Sequence, residues 1–149
     1  MIHIAAPAKV NLVLEVLGKR EDDYHEIRSL MQTIDLCDDL YFEANTDIRL
    51  ECNVDTLQTP DNIVLKAAEL LKNTYNYEHG AKIRLEKVIP SSAGLGGGSS
   101  DAAMTLLALN RLWRLRLKRE NLLQLAARLG SDVPFFLEWG RISHRAPHL

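Results

Sequence analysis

Apolar and polar positions divide the chain into short alternating bursts first and helical stripes afterwards. Ile2 to Leu17 reads as one or two strands, Ile4-Ala5-Ala6 and then Val10 to Leu17, with Pro7 as the break. Two further bursts follow, Ile27 to Asp35 and Asp39 to Glu43, with Asp35-Leu36-Cys37-Asp38-Asp39 as the turn between them. Asp47 to Asn53 alternates again, so this region predicts an antiparallel meander. Gln58 to Asn62 then opens a helix: Thr59 or Asp61 can cap it and Pro60 suits its first turn. Ile63, Ala67, Leu70 and Leu71 form its inward stripe, ending near Asn73 or Asn76, and His79-Gly80 closes the segment. Ala81 to Ile89 has the period of a half-buried strand. Ala102, Leu106, Leu109 and Trp113 mark a helix to about Trp113, and Glu120 to Leu129 marks another that Gly130 caps.

Between the last strand and the helix after it lies the run Pro90, Ser91, Ser92, Ala93, Gly94, Leu95, Gly96, Gly97, Gly98, Ser99, Ser100, Asp101. A strand, a glycine-rich loop and a helix N-terminus bring free N–H groups and the positive helix end together, which suits a phosphate. Glycine lets the backbone approach a ligand closely and take positive φ.

Composition adds boundaries. The 149 residues suffice for one core and at most two small domains, and 46% hydrophobic with 26% charged residues describes an ordinary globular chain. A net charge of −2 argues against a nucleic-acid partner held by bulk electrostatics. No apolar run has membrane-spanning length and no signal-peptide pattern is present, so the expectation is a cytoplasmic protein without a membrane partner. Cys37 and Cys52 lack metal or redox spacing and read as free thiols. Arg111, Arg114, Arg116, Lys118 and Arg119 read as a solvated helix end, and Asp38 and Asp39 as solvated turn acids.

The loop is not a Walker motif, because it has no Gly-Lys-Ser/Thr ending. It is not a dinucleotide fingerprint either, since Ser99 stands where the third glycine belongs. For a nucleoside triphosphate, positive charge must therefore come from Mg²⁺ and a distant lysine, and Lys9 is the candidate. Lys9 and Asn11 stand in an apolar stretch, where facing solvent on an edge strand is the competing reading. Ser99 or Ser100 can reach the metal or a phosphate oxygen. Asp132, between a helix end and the apolar Val133-Pro134-Phe135-Phe136, is the carboxylate suited to orienting or deprotonating an attacking hydroxyl, unless it only caps the next turn. Tyr24 and His25 end a charged loop. They either stack on a planar ligand or are an ordinary packed tyrosine and an exposed histidine.

These motifs resemble a known family. The loop is similar to the phosphate-binding motif of the galactokinase, homoserine kinase, mevalonate kinase and phosphomevalonate kinase (GHMP) superfamily. With Pro7-Ala8-Lys9-Val10-Asn11-Leu12, Asp23-Tyr24-His25, Pro60-Asp61-Asn62-Ile63 and Ser131-Asp132-Val133-Pro134-Phe135-Phe136, the chain resembles the 4-diphosphocytidyl-2-C-methyl-D-erythritol kinase family from about Ala6 to Phe136. The resemblance implies ATP-dependent phosphorylation of that compound's 2-hydroxyl, in non-mevalonate isoprenoid synthesis, with ATP and Mg²⁺. It implies Lys9 and Asp132 as catalytic pair, Pro90 to Ser100 on the ATP phosphates, Asn62 near adenine, Asn11 near the substrate, and Tyr24 and His25 against cytidine. The implied fold is the α+β GHMP kinase N-terminal domain, like domain 2 of ribosomal protein S5, with a mostly antiparallel sheet, helices on one face and a left-handed β-α-β crossover. Residues 1–137 would form this ATP-binding domain, and 138–149 an atypical tail where the family continues into a second domain that this chain lacks. The alternative is a shortened remnant that binds ATP without turnover. Oligomeric state is left open.

Overall fold

A computed structural model describes residues 1–19 and 25–145, with side chains outside 13–29 and 141–145. Four strands form one mixed sheet in the order β1-β2-β4-β3. They are β1 (Ile2–Lys19), β2 (His25–Asn45), β3 (Ile48–Cys52) and β4 (Gly80–Glu86). β1 and β4 each pair antiparallel with β2, while β3 lies parallel to β4 and reaches it through helix α1 (Ile63–Thr74). The expected meander is thus replaced at its end by a parallel β-α-β unit, with β4 inserted between β2 and β3. The α+β fold with two antiparallel pairings out of three agrees with the expectation.

Two predicted breaks are absent. Pro7 does not end the first strand, and Asp35 to Asp39 is not a turn: β1 and β2 each run through as single strands. The ladder instead shifts register between Pro7 and Lys9, whose partners are Cys37 and Thr33. One residue, Ala8, therefore lies opposite three, Ile34 to Leu36. Pro7, which lacks an N–H, borders this bulge and Asp35 lies within it, while Asp38 and Asp39 keep regular register with Ala6 and Ala5.

Parity on β4 separates the faces. Ala81, Ile83 and Leu85 are buried, together with Leu40 and Phe42 of β2, and the helices cover this face. The opposite face carries Lys82 near Glu43 and Glu51, and Arg84 over the Tyr41 ring at 4.2 Å. Helix α2 (Gly97–Leu112) crosses the covered face and is buried on almost every side, from Ser100 to Leu106 and at Ala108 and Leu109. It is flanked by α1, α3 (Arg119–Leu129) and α4 (Val133–Arg145). On α1 the buried stripe is Val64, Ala67, Ala68 and Leu71, turned slightly from the predicted one. Its cap is Asn62, not Thr59 or Asp61: Asn62 Oδ1 accepts from the Val64 amide at 2.8 Å.

The segment from 138 on continues a regular element, because α4 begins at Val133 and reaches Arg145. Arg119 donates to Glu138 at 2.6 Å. Gly140 lies so close to α2 that a Cβ there would stand 2.5 Å from Leu107 and 2.7 Å from Met104.

Gly80 makes the tightest backbone approach. A Cβ would lie 2.1 Å from the Asp47 carbonyl carbon and 2.4 Å from its oxygen, atoms that cannot rotate away. The Gly80 carbonyl also accepts from buried Trp113 Nε1 at 3.0 Å, joining sheet to α2. Gly80→Ala is expected to cost about 1–3 kcal/mol, seen as a fall of several degrees in the thermal midpoint. An unchanged midpoint would show that the β3–β4 start can open without cost.

Candidate active site

The glycine-rich run sits where β4 ends and α2 begins. Left-handed backbone occurs at every second residue, with φ of +62° at Ser92, +73° at Gly94 and +70° at Gly96. Such reversals turn successive N–H groups into an anion-binding concavity. Gly96 is the N-cap of α2, and the first helical bond runs from the Ser100 amide to its carbonyl at 2.9 Å. The amides of Gly97, Gly98 and Ser99 precede that bond and are helix N-terminal donors. The helix therefore starts inside the glycine run, several residues before its apolar stripe. A Cβ at Gly94 would meet nothing within 4 Å, so the loop backbone faces open space there.

That space is a cavity of about 610 Å³. Its walls are the loop and helix start from Pro90 to Ser99, then Leu57, Thr59 and Asp61 to Ile63 on the α1 side, with Leu85, Lys87 and Asp101. Asn62 lines it, but both ends of its amide are engaged, Nδ2 donating to the Leu57 carbonyl at 2.8 Å and Oδ1 capping α1. Ser99 lines the cavity; Ser100 is fully buried behind its wall, and among the described residues its hydroxyl has no hydrogen-bond partner.

Lys9 and the start of α4 reach the same loop at Gly96. The Lys9 amide donates to the Leu95 carbonyl at 2.8 Å, so β1 pins the middle of the loop. A Cβ on Gly96 would lie 2.9 Å from the Phe136 ring and 3.0 Å from Lys9 Cγ. The Lys9 side chain and Phe136 thus pack on one glycine, and Asp132 stands one helical turn before Phe136. Lys9 is buried, which sets aside a solvated edge-strand role, and Asp132 is half-buried. Lys9 and Asp132 form no ion pair within 4.0 Å. Asn11 is exposed on β1. Tyr24 lies outside the described residues, and of His25 only the backbone, opening β2, is described.

Sequence reasoning missed the charged centre of the site. Lys87 donates to Asp38 at 2.6 Å and to Asp101 at 2.9 Å, and all three are nearly or wholly buried. Asp38, expected to be solvated, also accepts from the Val88 and Ile89 amides at 2.7 and 2.8 Å. Its neighbour Asp39 behaves as expected, half-exposed and bonded to His3 at 2.8 Å. A signal was present: Lys87 has the same parity as Ala81, Ile83, Leu85 and Ile89, so it interrupts an inward apolar row.

Burial pushes Asp38 upward, but hydrogen bonds from Asp101, Lys87 and the two amides prevail and hold it below the ordinary carboxylate value. Burial raises Asp101 well above that value, with Asp38 beside it adding to the effect. Among the described residues Asp101 Oδ1 has no hydrogen-bond partner and is shut off from solvent. Burial lowers Lys87, yet the two carboxylates outweigh it and raise its value.

Against known proteins, residues 62–140 match the profile of the GHMP kinases N terminal domain. The chain belongs to the GHMP kinases. The 4-diphosphocytidyl-2-C-methyl-D-erythritol kinase of Prochlorococcus marinus (strain AS9601) is 52% identical over 142 residues, covering 93% of this chain and 46% of that protein. The enzyme of that name from Thermoanaerobacter pseudethanolicus is 48% identical over 140 residues, covering 93% and 48%. A crystal structure of 4-(cytidine 5'-diphospho)-2C-methyl-D-erythritol kinase superposes with a TM-score of 0.74 at 43% identity, covering 92% of this chain and 49% of that one. A mevalonate kinase structure, at 22% identity, TM-score 0.64 and coverage of 87% and 46%, shows the shared fold. This GHMP kinase chain spans about half the length of the curated relatives it matches. Among the described residues no helix is long and apolar enough to cross a membrane.

The cluster has a signed pH dependence. Asp38 lies below its ordinary 3.8, so its contribution to stability is complete above that value and is lost as pH falls through the lowered one. Asp101 has the opposite sign: its contribution is present below 3.8 and is lost as pH rises through its raised value. Asp38→Asn is therefore expected to cost about 3–5 kcal/mol near neutral pH, with a gap to the unaltered chain that narrows below pH 3.8. Urea unfolding at pH 7 and pH 3 measures it; a gap independent of pH would contradict an ionised, stabilising Asp38.

Proposed function

We propose that this chain forms the nucleotide-binding half of an ATP-dependent small-molecule kinase that phosphorylates the 2-hydroxyl of 4-diphosphocytidyl-2-C-methyl-D-erythritol. One observation carries the reading: a concave loop with helix N-terminal amides opens into a 610 Å³ cavity and is touched at its middle by Lys9. The level of identity to kinases of that name supports the choice of substrate.

In this reading the amides of Gly97, Gly98 and Ser99 and the loop backbone from Pro90 hold the ATP phosphates, by dipoles that need no reorganisation. Leu57, Ile63 and Leu85 give the cavity its apolar side chains, suited to the base. Lys9, buried at Gly96, supplies positive charge beside the reacting phosphoryl group. Asp132 orients the acceptor hydroxyl and takes its proton. Asn11, Tyr24 and His25 belong to the acceptor side.

The donor set fits Mg²⁺ carried on the nucleotide. Among the described residues no group of three His, Cys, Asp or Glu side chains could hold a metal alone, whereas Mg²⁺ typically takes few protein ligands and binds substrate phosphates. Ser99, on the cavity wall, is the residue placed to reach it; Ser100 is buried and could do so only by turning. When bound, Mg²⁺ would neutralise negative charge on the nucleotide's phosphates.

Transfer of radioactive label from the γ-phosphate of ATP to the cytidyl acceptor tests the proposal. Asp132→Asn and Lys9→Met are each expected to lower the transfer rate about 10²- to 10⁴-fold while ATP still binds. Transfer insensitive to Asp132→Asn would remove its assigned role. Binding of ATP by calorimetry without any transfer would leave a nucleotide-binding module and reject the kinase activity of this chain.

A further inference from the structure

The Asp38–Lys87–Asp101 cluster lies under both ends of the glycine-rich loop. Asp38 Oδ1 accepts from the Val88 and Ile89 amides, directly before Pro90, at 2.7 and 2.8 Å. Its Oδ2 takes Lys87 Nζ at 2.6 Å, and that ammonium reaches Asp101 on the first turns of α2 at 2.9 Å. Gly97, the first residue of α2, leaves the room: a Cβ there would stand 2.8 Å from Lys87 Nζ. One ammonium therefore ties the strand before the loop, the helix after it and β2 to one point, and the span between Ile89 and Gly97 is closed across its base.

The structure assigns Lys87, Asp38 and Asp101 to a positioning clamp that holds the loop amides in phosphate-binding geometry. This inference rests on the nucleotide reading of the cavity. Lys87 is a positioning residue, with its hydrogen-bonding capacity turned to two carboxylates, and it acts through the loop amides. Its removal should weaken ligands in proportion to the phosphates they present. A lysine serving only the core would affect all nucleotides alike, or none.

Lys87→Met leaves two buried carboxylates without their cation and can fail to fold. The triple variant Asp38→Asn/Lys87→Met/Asp101→Asn removes all three ionisable side chains together, and the side-chain amide oxygen it places at position 38 can still accept from Val88 and Ile89. Calorimetric titration of the full chain with ATP, ADP and AMP reads the result. The triple variant is expected to bind ATP and ADP about 10- to 100-fold more weakly and AMP within about 3-fold of the unaltered chain. Amide hydrogen exchange without nucleotide gives a second reading, with faster exchange expected at residues 91–99 alone. Equal weakening of all three nucleotides, or unchanged loop exchange, overturns the clamp. A triple variant that does not fold also overturns it, by assigning the cluster to the core. No nucleotide binding by the unaltered chain, with loop exchange still faster in the variant, rejects the nucleotide reading and leaves the clamp as a property of the loop.

Discussion

A lysine ammonium in the interior is costly unless its hydrogen bonds and charge are met. Lys87 meets that cost with two carboxylates from distant parts of the chain, 49 residues back at Asp38 and 14 residues on at Asp101. The condition is mutual. The ammonium and two amides hold Asp38 below the ordinary carboxylate value at zero exposure, whereas burial, with Asp38 beside it, raises Asp101 well above that value. Meeting these demands fixes β2, the end of β4 and the start of α2 relative to one another, and the glycine-rich loop is what remains between them.

The other devices around the loop act outward from that frame. The bulge at Ala8 frees Lys9 from a regular ladder and lets its amide reach Leu95, so the loop is held in the middle as well as at its ends. Gly96 reverses the chain with positive φ and leaves a surface on which Lys9 and Phe136 both pack. The first turn of α4 thereby reaches the loop through Phe136, while Gly140 and Glu138 seat the rest of that helix on α2 and α3. The loop itself is poor in side chains because the backbone is its working surface.

Much of this was legible from residue types. The loop, the strand before it and the α3 boundary at Gly130 follow from period and glycine chemistry. Lys9 and Asp132 stood out as charged residues set against apolar runs. What the pattern concealed has physical reasons. Pro7 and the acids from Asp35 to Asp39 look like breaks, yet a long two-stranded ladder runs through them with one bulge at Ala8. Parallel pairing of β3 with β4 depends on a crossover that local alternation does not encode. α4 was hidden because its unbroken apolar start, Val133-Pro134-Phe135-Phe136, reads as a core run and not as a helix N-terminus. Lys87 was hidden by the habit of reading lysine as solvated, although its parity pointed inward. Asp38 was invisible for a related reason: adjacent acids look alike in sequence, and only the fold sends one inside and leaves the other near the surface.

The central claim is that the loop from Pro90 to Ser99 is a phosphate site preset by the fold. The most direct measurement is the change in backbone amide resonances when ATP with Mg²⁺, and separately adenosine, is added to the isotope-labelled chain. The account predicts that ATP shifts the amides of residues 91–99 and of Lys9, and that adenosine leaves the Gly96 to Ser99 amides in place. Shifts confined to other regions with ATP, or the same loop shifts with adenosine, would contradict it.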